Sequence, residues 1–327
     1  MNGHEAIFAD MWNVMKGRIV ITAAELDLFS HLHKKRSTAA ELASKLALDE
    51  RATTRVLDAL VAFGLLRKDY DIYETTEVGG YLSKDHPETA LPFLHHFSHL
   101  WDNWSLLTEV VRKGGSRKKR SSPRRSKEAM NAFIGAMHSV GKHLSREIAD
   151  LYDLSRFKRL LDIGGASGTY TIAFLNKNQG MKATIFDVPN VIDLAKRQIK
   201  KEGLQGRVKF TAGDFYRDPL PAGADLALLS AIIHQNSLQQ NLALFKKIYR
   251  SLLRGGVLLI RDHIMDESRT NPPSGTVFAV NMLVNTRGGD TYTFREVRDT
   301  LEKAGFSNVK LLRTGPKMDC LVEATKQ

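Results

Sequence analysis

A single cysteine, Cys320, in a chain of 327 residues excludes an intramolecular disulfide and any cysteine-based metal cluster, the usage of a protein kept in a reducing compartment. No apolar run approaches the ~20 residues that cross a bilayer. The first residues also lack the basic start, apolar core and small-residue cleavage site of a secretory signal. The expected location is the cytoplasm, with no membrane partner. Acidic residues are in deficit as well: 48 Lys and Arg face 36 Asp and Glu, a net charge of +12. Nine of the basic residues lie between Arg112 and Lys127 with no acid among them, so the remainder of the chain carries only +3. That stretch is punctuated by Gly, Ser and Pro and reads as a solvated surface loop. A nucleic-acid or anionic-membrane contact through it is the alternative. No RNA-binding signature with interleaved aromatics accompanies the charge, which disfavours a nucleic-acid partner. His95, His96 and His99 have no acids or cysteines at ligand spacing, so they read as packing or pocket-lining residues and no metal is expected.

What the chain does carry is a glycine-rich turn between an apolar strand and a helix, Leu160-Leu161-Asp162-Ile163-Gly164-Gly165-Ala166-Ser167-Gly168-Thr169. Gly164, Gly165 and Gly168 permit backbone angles and close approaches that a Cβ would block, which suits a nucleotide-like ligand. Taken alone the turn fits an ordinary tight connection equally well; the segments after it sharpen the reading. Ala183-Thr184-Ile185-Phe186-Asp187 is a second buried strand ending on an acid placed to accept ribose hydroxyls. Val208 to Phe215 is a third, with Asp214 and Phe215 suited to an adenine. Ala224 to Ile233 leads through Ser230 to His234, and Gly256 to Ile260 leads to Arg261 and Asp262. Functional groups at successive strand ends are the pattern of a doubly wound, Rossmann-like α/β domain.

These segments resemble the S-adenosylmethionine-dependent O-methyltransferases of the plant caffeic acid and acetylserotonin type, over nearly the whole chain. The family's D-x-G-G-G-T-G turn matches Asp162 to Gly168, with Ala166 and Ser167 in place of a glycine and a threonine. Its F-D-x-P element matches Phe186-Asp187-Val188-Pro189, its G-D-x-F region matches Gly213-Asp214 with Phe215, and its catalytic histidine falls on His234. The resemblance implies a class I methyltransferase domain, S-adenosylmethionine as cofactor, and cofactor contacts from Asp162, Gly164, Gly165, Gly168, Asp187, Asp214, Phe215 and Ser230. It places the carboxylate that steadies the histidine on Asp262. Departures cluster around the chemistry. Gln235-Asn236-Ser237 follow the histidine where Asp and Trp are usual, Ser230 stands where a lysine is common, and a second glutamate after a Gly-Gly pair meets Asp290-Thr291. An acid before the Met-Leu pair is Asn281 here. Trp104, Asn131, Phe133, Met137, His138, Asn281, Met282 and Asn285 are the candidate contacts to a small-molecule acceptor.

The first ~100 residues read as helical with a winged-helix pattern. Ser37 or Thr38 caps one helix, Glu50 to Leu60 forms the next, and a hairpin surrounds Tyr70 to Glu74. A DNA-binding helix-turn-helix is one reading, but Arg51 and Arg55 share their helix with Glu50 and Asp58. The family uses this unit for dimerisation, so a homodimer is expected. The expected division is 1–110 dimerisation, 111–150 basic loop and linker helix, and 151–327 cofactor domain. Methyl transfer needs an oriented hydroxyl and exclusion of water. An imidazole titrates where it can take a proton near neutral pH, which suits His234 as general base with Asp262 fixing its tautomer. The alternative is that His234 only caps the helix that follows, while Gln235 and Asn236 satisfy backbone groups. The expected function is O-methylation of a small aromatic or polyketide-like molecule. A nucleic-acid methyltransferase using the basic loop and a non-catalytic regulator with a helix-turn-helix are the competing readings.

Overall fold

The computed structural model describes residues 3–115 and 127–327. By their contacts the residues sort into two units, Met1–Asp102 with Ser126–Ser139 and Asn103–Arg125 with Val140–Gln327.

The first unit opens with α1 (Gly3–Glu25), α2 (Leu28–Lys34), the short β1 (Ser37–Thr38), α3 (Ala39–Leu46) and α4 (Glu50–Ala62). The hairpin of β2 (Leu66–Asp69) and β3 (Ile72–Thr75) and the single turn α5 (Glu77–Gly80) follow. Thr38 starts α3 through a capping box with Glu41, and Asp49 caps α4 by accepting from Ala52 N–H at 2.7 Å. Strands order β1-β3-β2, and Leu28, Phe29, Leu32, Leu42, Leu57, Leu60, Leu66 and Tyr73 fill the core beneath them. This is the winged-helix pattern of the sequence. On α4, Asp58 pairs with Arg55 at 3.7 Å and takes Lys68 Nζ at 2.6 Å and Tyr73 Oη at 2.7 Å from the hairpin, so the helix that groove reading would need to be basic carries an acid among its bases. Along α1, Ile7, Phe8, Met11, Trp12 and Met15 are 55–70% exposed, at the i, i+4, i+8 spacing of one helical face. Next in the chain come α6 (Leu91–Trp104), α7 (Leu107–Lys113) and α8 (Lys127–Leu151).

The second unit alternates strand and helix: β4 (Arg159–Ile163), α9 (Thr169–Lys177), β5 (Lys182–Asp187), α10 (Pro189–Lys201), β6 (Val208–Ala212) and β7 (Ala224–Ser230). After a 3₁₀ turn at Ile233–Gln235 come α11 (Leu238–Ser251), β8 (Leu252–Asp262), β9 (Ile264–Met265), α12 (Pro273–Asn285), β10 (Tyr292–Thr293), α13 (Phe294–Lys303), β11 (Phe306–Arg313) and β12 (Cys320–Lys326). The seven-stranded sheet runs β11-β12-β8-β7-β4-β5-β6, parallel from β8 to β6 and antiparallel at β12 and β11. A sheet covered on both faces needs apolar residues at every position. Leu226, Leu228, Val257 and Leu259 supply one core, and Ala227, Leu229, Leu258 and Ile260 supply the other. Strand order reverses between β4 and its neighbours β5 and β7, and the crevice at such a switch point is where open α/β sheets hold ligands.

Candidate active site

The glycine turn leaves β4 at Gly164, whose φ of +69° excludes most side chains. A Cβ there would stand 2.8 Å from Ile232 Cδ1 and 3.7 Å from Phe215 Cε1, so the absent side chain leaves a cradle between the ends of β6 and β7. A Cβ on Gly165 would stand 2.8 Å from Asp162 Cγ. Asp162 is buried and holds Thr171 Oγ1 at 2.6 Å; it braces the turn against the first turn of α9. Asp187, at the end of β5, accepts Ala166 N–H at 2.9 Å and Val188 N–H at 2.7 Å, one on each oxygen. Each oxygen keeps a lone pair for a further donor. Burial pushes Asp187 up to about 6 against the pull of those two N–H groups. Asp162 also stands at about 6, raised by burial and by the Asp187 charge and lowered by Thr171. Asp214 and Phe215 follow β6 half-buried, with Asp214 Oδ1 taking Tyr216 N–H at 2.9 Å. An acceptor-only carboxylate, a bare-backbone turn and an aromatic edge suit a ribose, the chain beyond it and an adenine. S-adenosylmethionine fits this set.

At the ends of β7 and β8, His234 Nδ1 lies 2.8 and 3.0 Å from the two oxygens of Asp262. Burial raises the Asp262 carboxyl, but the imidazole, the Arg261 charge and the N–H of His263 outweigh it and hold it below the ordinary range. The ring of His234 stands edge-on to Phe278 at 4.9 Å, and the His263 ring is tilted against Phe278 at 5.0 Å. Burial pushes His263 down to about 4, so it is neutral near pH 7. Capping of α11 falls to Ser237 with Gln240. Asn236 serves Tyr216, Asn241 and the Tyr292 hydroxyl. Neither leaves His234 a capping task.

The carboxylate of Asp290 pairs with Arg269 at 3.1 Å while its N–H donates to His234 O at 2.9 Å, and Thr291 is buried with its hydroxyl on Gly275 O. The Gly288-Gly289 turn therefore holds the backbone of His234: a Cβ on Gly289 would run into His234 O and stand 2.6 Å from Thr286 Oγ1. Trp104 Nε1 donates to Asn281 Oδ1 at 2.9 Å, and Asn285 Nδ2 reaches the same oxygen at 2.9 Å. Asn103 donates to Asn285 at 2.6 Å. Phe278, Asn281 and Asn285 repeat at i, i+3, i+7 and share one face of α12, which joins the histidine to the tryptophan; Met282 on the same helix is buried. Met137 and His138 are half-buried and belong to the first unit, while the side chains of Asn131 and Phe133 lie outside what the structure describes, as does most of the basic segment. Sequence reasoning missed Phe278, His263 and the contact from Arg261 to Ser230. Phe278 had a findable signal in its helical spacing to Asn281 and Asn285.

The profile of the O-methyltransferase domain matches residues 104–307 and that of the O-methyltransferase dimerisation domain matches residues 11–85. The tetracenomycin polyketide synthesis 8-O-methyl transferase of Streptomyces glaucescens is 30% identical over 90% of this chain and 88% of its own length. The acetylserotonin O-methyltransferase of Gallus gallus is 28% identical over 97% of this chain and 96% of its own. Among solved structures, human N-acetylserotonin methyltransferase in complex with S-adenosylmethionine superposes with a TM-score of 0.87 at 25% identity, covering 100% of this chain and 98% of that one. Matches of this extent, on a sheet whose strand ends carry a bare glycine turn beside a His–Asp pair, leave one assignment. The chain belongs to the S-adenosylmethionine-dependent O-methyltransferases with an N-terminal dimerisation domain, enzymes that methylate small molecules.

Proposed function

We propose that the acceptor is a small aromatic, polyketide-like molecule methylated on a phenolic or enolic hydroxyl, with His234 as general base. The contact of His234 Nδ1 with the buried carboxylate of Asp262 carries this reading. With Nδ1 facing a carboxylate the ring keeps its proton there, which leaves Nε2 as the base. When bound, S-adenosylmethionine supplies a methyl group activated by its sulfonium. Asp187, Asp214 and Phe215 would hold its nucleoside. His234 then takes the hydroxyl proton at Nε2, and the charge that forms on the ring is stabilised by Asp262 in a site where only 12% of the histidine side chain meets solvent. Trp104 and Phe278 offer aromatic surface and Asn281 and Asn285 polar groups that suit such an acceptor. Relatives named for a polyketide and for acetylserotonin support the same class. We further propose that the protein works as a homodimer through its first unit, in keeping with the dimerisation profile.

The test is transfer of labelled methyl from S-adenosylmethionine to a panel of phenols, enolic polyketide analogues and aryl amines. Phenolic or enolic products support the reading; transfer to amines alone would overturn it. On the best acceptor, His234→Ala and Asp262→Asn should each lower kcat by roughly 10²–10⁴-fold while S-adenosylhomocysteine affinity stays within about twofold. Unchanged turnover in either variant removes that residue from proton transfer.

A further inference from the structure

Neighbouring residues on a strand point to opposite faces of the sheet, so β8 ends on two functional groups with different hydrogen-bond partners. Asp262 goes to His234. Arg261, one residue earlier, goes to the other face, where its register partner is Ser230 at the end of β7. Its Nε and Nη2 donate to Ser230 Oγ at 3.0 and 2.7 Å, Nη1 donates to Met318 O at 2.9 Å, and the guanidinium stands 5.1 Å from the centre of the Tyr170 ring. Tyr170 is the second residue of α9, directly after the glycine turn. Every one of these partners is neutral: a hydroxyl, a carbonyl and a ring. Among the described residues no carboxylate lies within ion-pair distance of this half-buried guanidinium. An arginine is charged at any accessible pH, and one withdrawn from water without an anion is costly unless an anion arrives. The contacts described leave one N–H free on each terminal nitrogen, the fork that fits a carboxylate on two bonds.

The bound cofactor brings such an anion. Its nucleoside belongs at the ends of β5 and β6, and its methyl must come to His234 at the end of β7, so its methionyl chain has to pass the glycine turn. We propose that Arg261, aimed by Ser230, binds the α-carboxylate of the methionyl group. Ser230 is then a positioning residue that holds the guanidinium by two hydrogen bonds and does not itself contact the cofactor. The proposal rests on the cofactor assignment and adds to it the group that recognises the amino-acid end.

Calorimetry with three ligands separates this from a structural role: S-adenosylhomocysteine, its decarboxylated analogue, and 5′-methylthioadenosine, which lacks the amino-acid chain. In the unaltered protein, removal of the carboxylate should weaken binding at least ~tenfold, the order of a charge-assisted pair shielded from solvent. In Arg261→Gln, S-adenosylhomocysteine should fall to the level of the decarboxylated analogue, methylthioadenosine should bind as before, and Arg261→Lys should recover part of the loss. Equal binding of the first two ligands by the unaltered protein would overturn the proposal without any variant. So would a gap that survives in R261Q, or a loss in R261Q that strikes methylthioadenosine equally. Failure of all three ligands to bind the unaltered protein would sink the cofactor assignment instead.

Discussion

At the scale of single residues the site turns on carboxylates given different tasks by their surroundings. Asp262 is held ionised by the imidazole it orients, whereas Asp187 and Asp162 are raised to about 6 by burial. A carboxyl raised in the folded state contributes stability that is fully present at acid pH and is lost as the pH climbs through about 6. In the proposed site cofactor binding runs the other way, because ribose hydroxyls would donate to the ionised Asp187. The affinity of the enzyme for S-adenosylhomocysteine should therefore be flat above pH 7 and fall about tenfold between pH 7 and pH 5. Asp187→Asn should bind more weakly at pH 7.5 and lose most of that acid limb. A wild-type affinity independent of pH over this range, measured calorimetrically, would remove Asp187 from the ribose site.

Elements bring these residues together by backbone as much as by side chain. The sequence marks Gly288-Gly289 only as the pair that precedes Asp290-Thr291, but the fold uses it to seat Asp290 N–H on the carbonyl of His234 at 2.9 Å with no room for a Cβ on Gly289. Gly289→Ala must push the Ile233–Gln235 turn away from α12. We expect a loss of about 1–3 kcal/mol in unfolding free energy by urea titration, from overpacking against backbone. We also expect a fall in kcat larger than the change in cofactor affinity, since the displaced group is His234 and not the glycine turn of β4. A variant as stable and as active as the parent would show that the turn yields freely. The same logic explains why Thr291 does not replace a second carboxylate: its hydroxyl is buried on Gly275 O, and Asp290 is drawn outward by Arg269. The orientation of His234 falls to Asp262, Phe278 and this turn.

For the whole molecule, α1 carries Ile7, Phe8, Met11, Trp12 and Met15 in water, an apolar stripe that a lone chain has little reason to keep. A second copy of the chain is its occupant in the proposed dimer. Replacing Phe8 and Trp12 together by Glu should shift the protein from dimer to monomer in sedimentation velocity while leaving cofactor binding by the second unit in place. A double variant that remains dimeric at micromolar concentration would place the interface elsewhere.

The sequence by itself determined the sheet, the order of functional groups along its strands and the chemistry of the cofactor. Consecutive apolar strands must be buried on both faces, and a glycine turn with acids at the next strand ends restricts what can bind there. Asp187, Asp214, His234 and Asp262 were legible for that reason: each stands where a strand stops, and strand ends converge. The capping box of Thr38 and the hairpin at Tyr70-Asp71 were legible because local bonds define them. Tertiary structure alone decided which face each residue took and who its partner was. One residue of register sends Arg261 to Ser230 and Asp262 to His234, and no spacing in the sequence pairs Phe278 with a histidine 44 positions earlier. The motif marks Asp162 for the cofactor site by resemblance alone; the fold adds that it is buried beneath the turn with Thr171 on its carboxylate, a brace on which that turn rests. Contacts between distant segments depend on packing in three dimensions, where sequence separation carries no information.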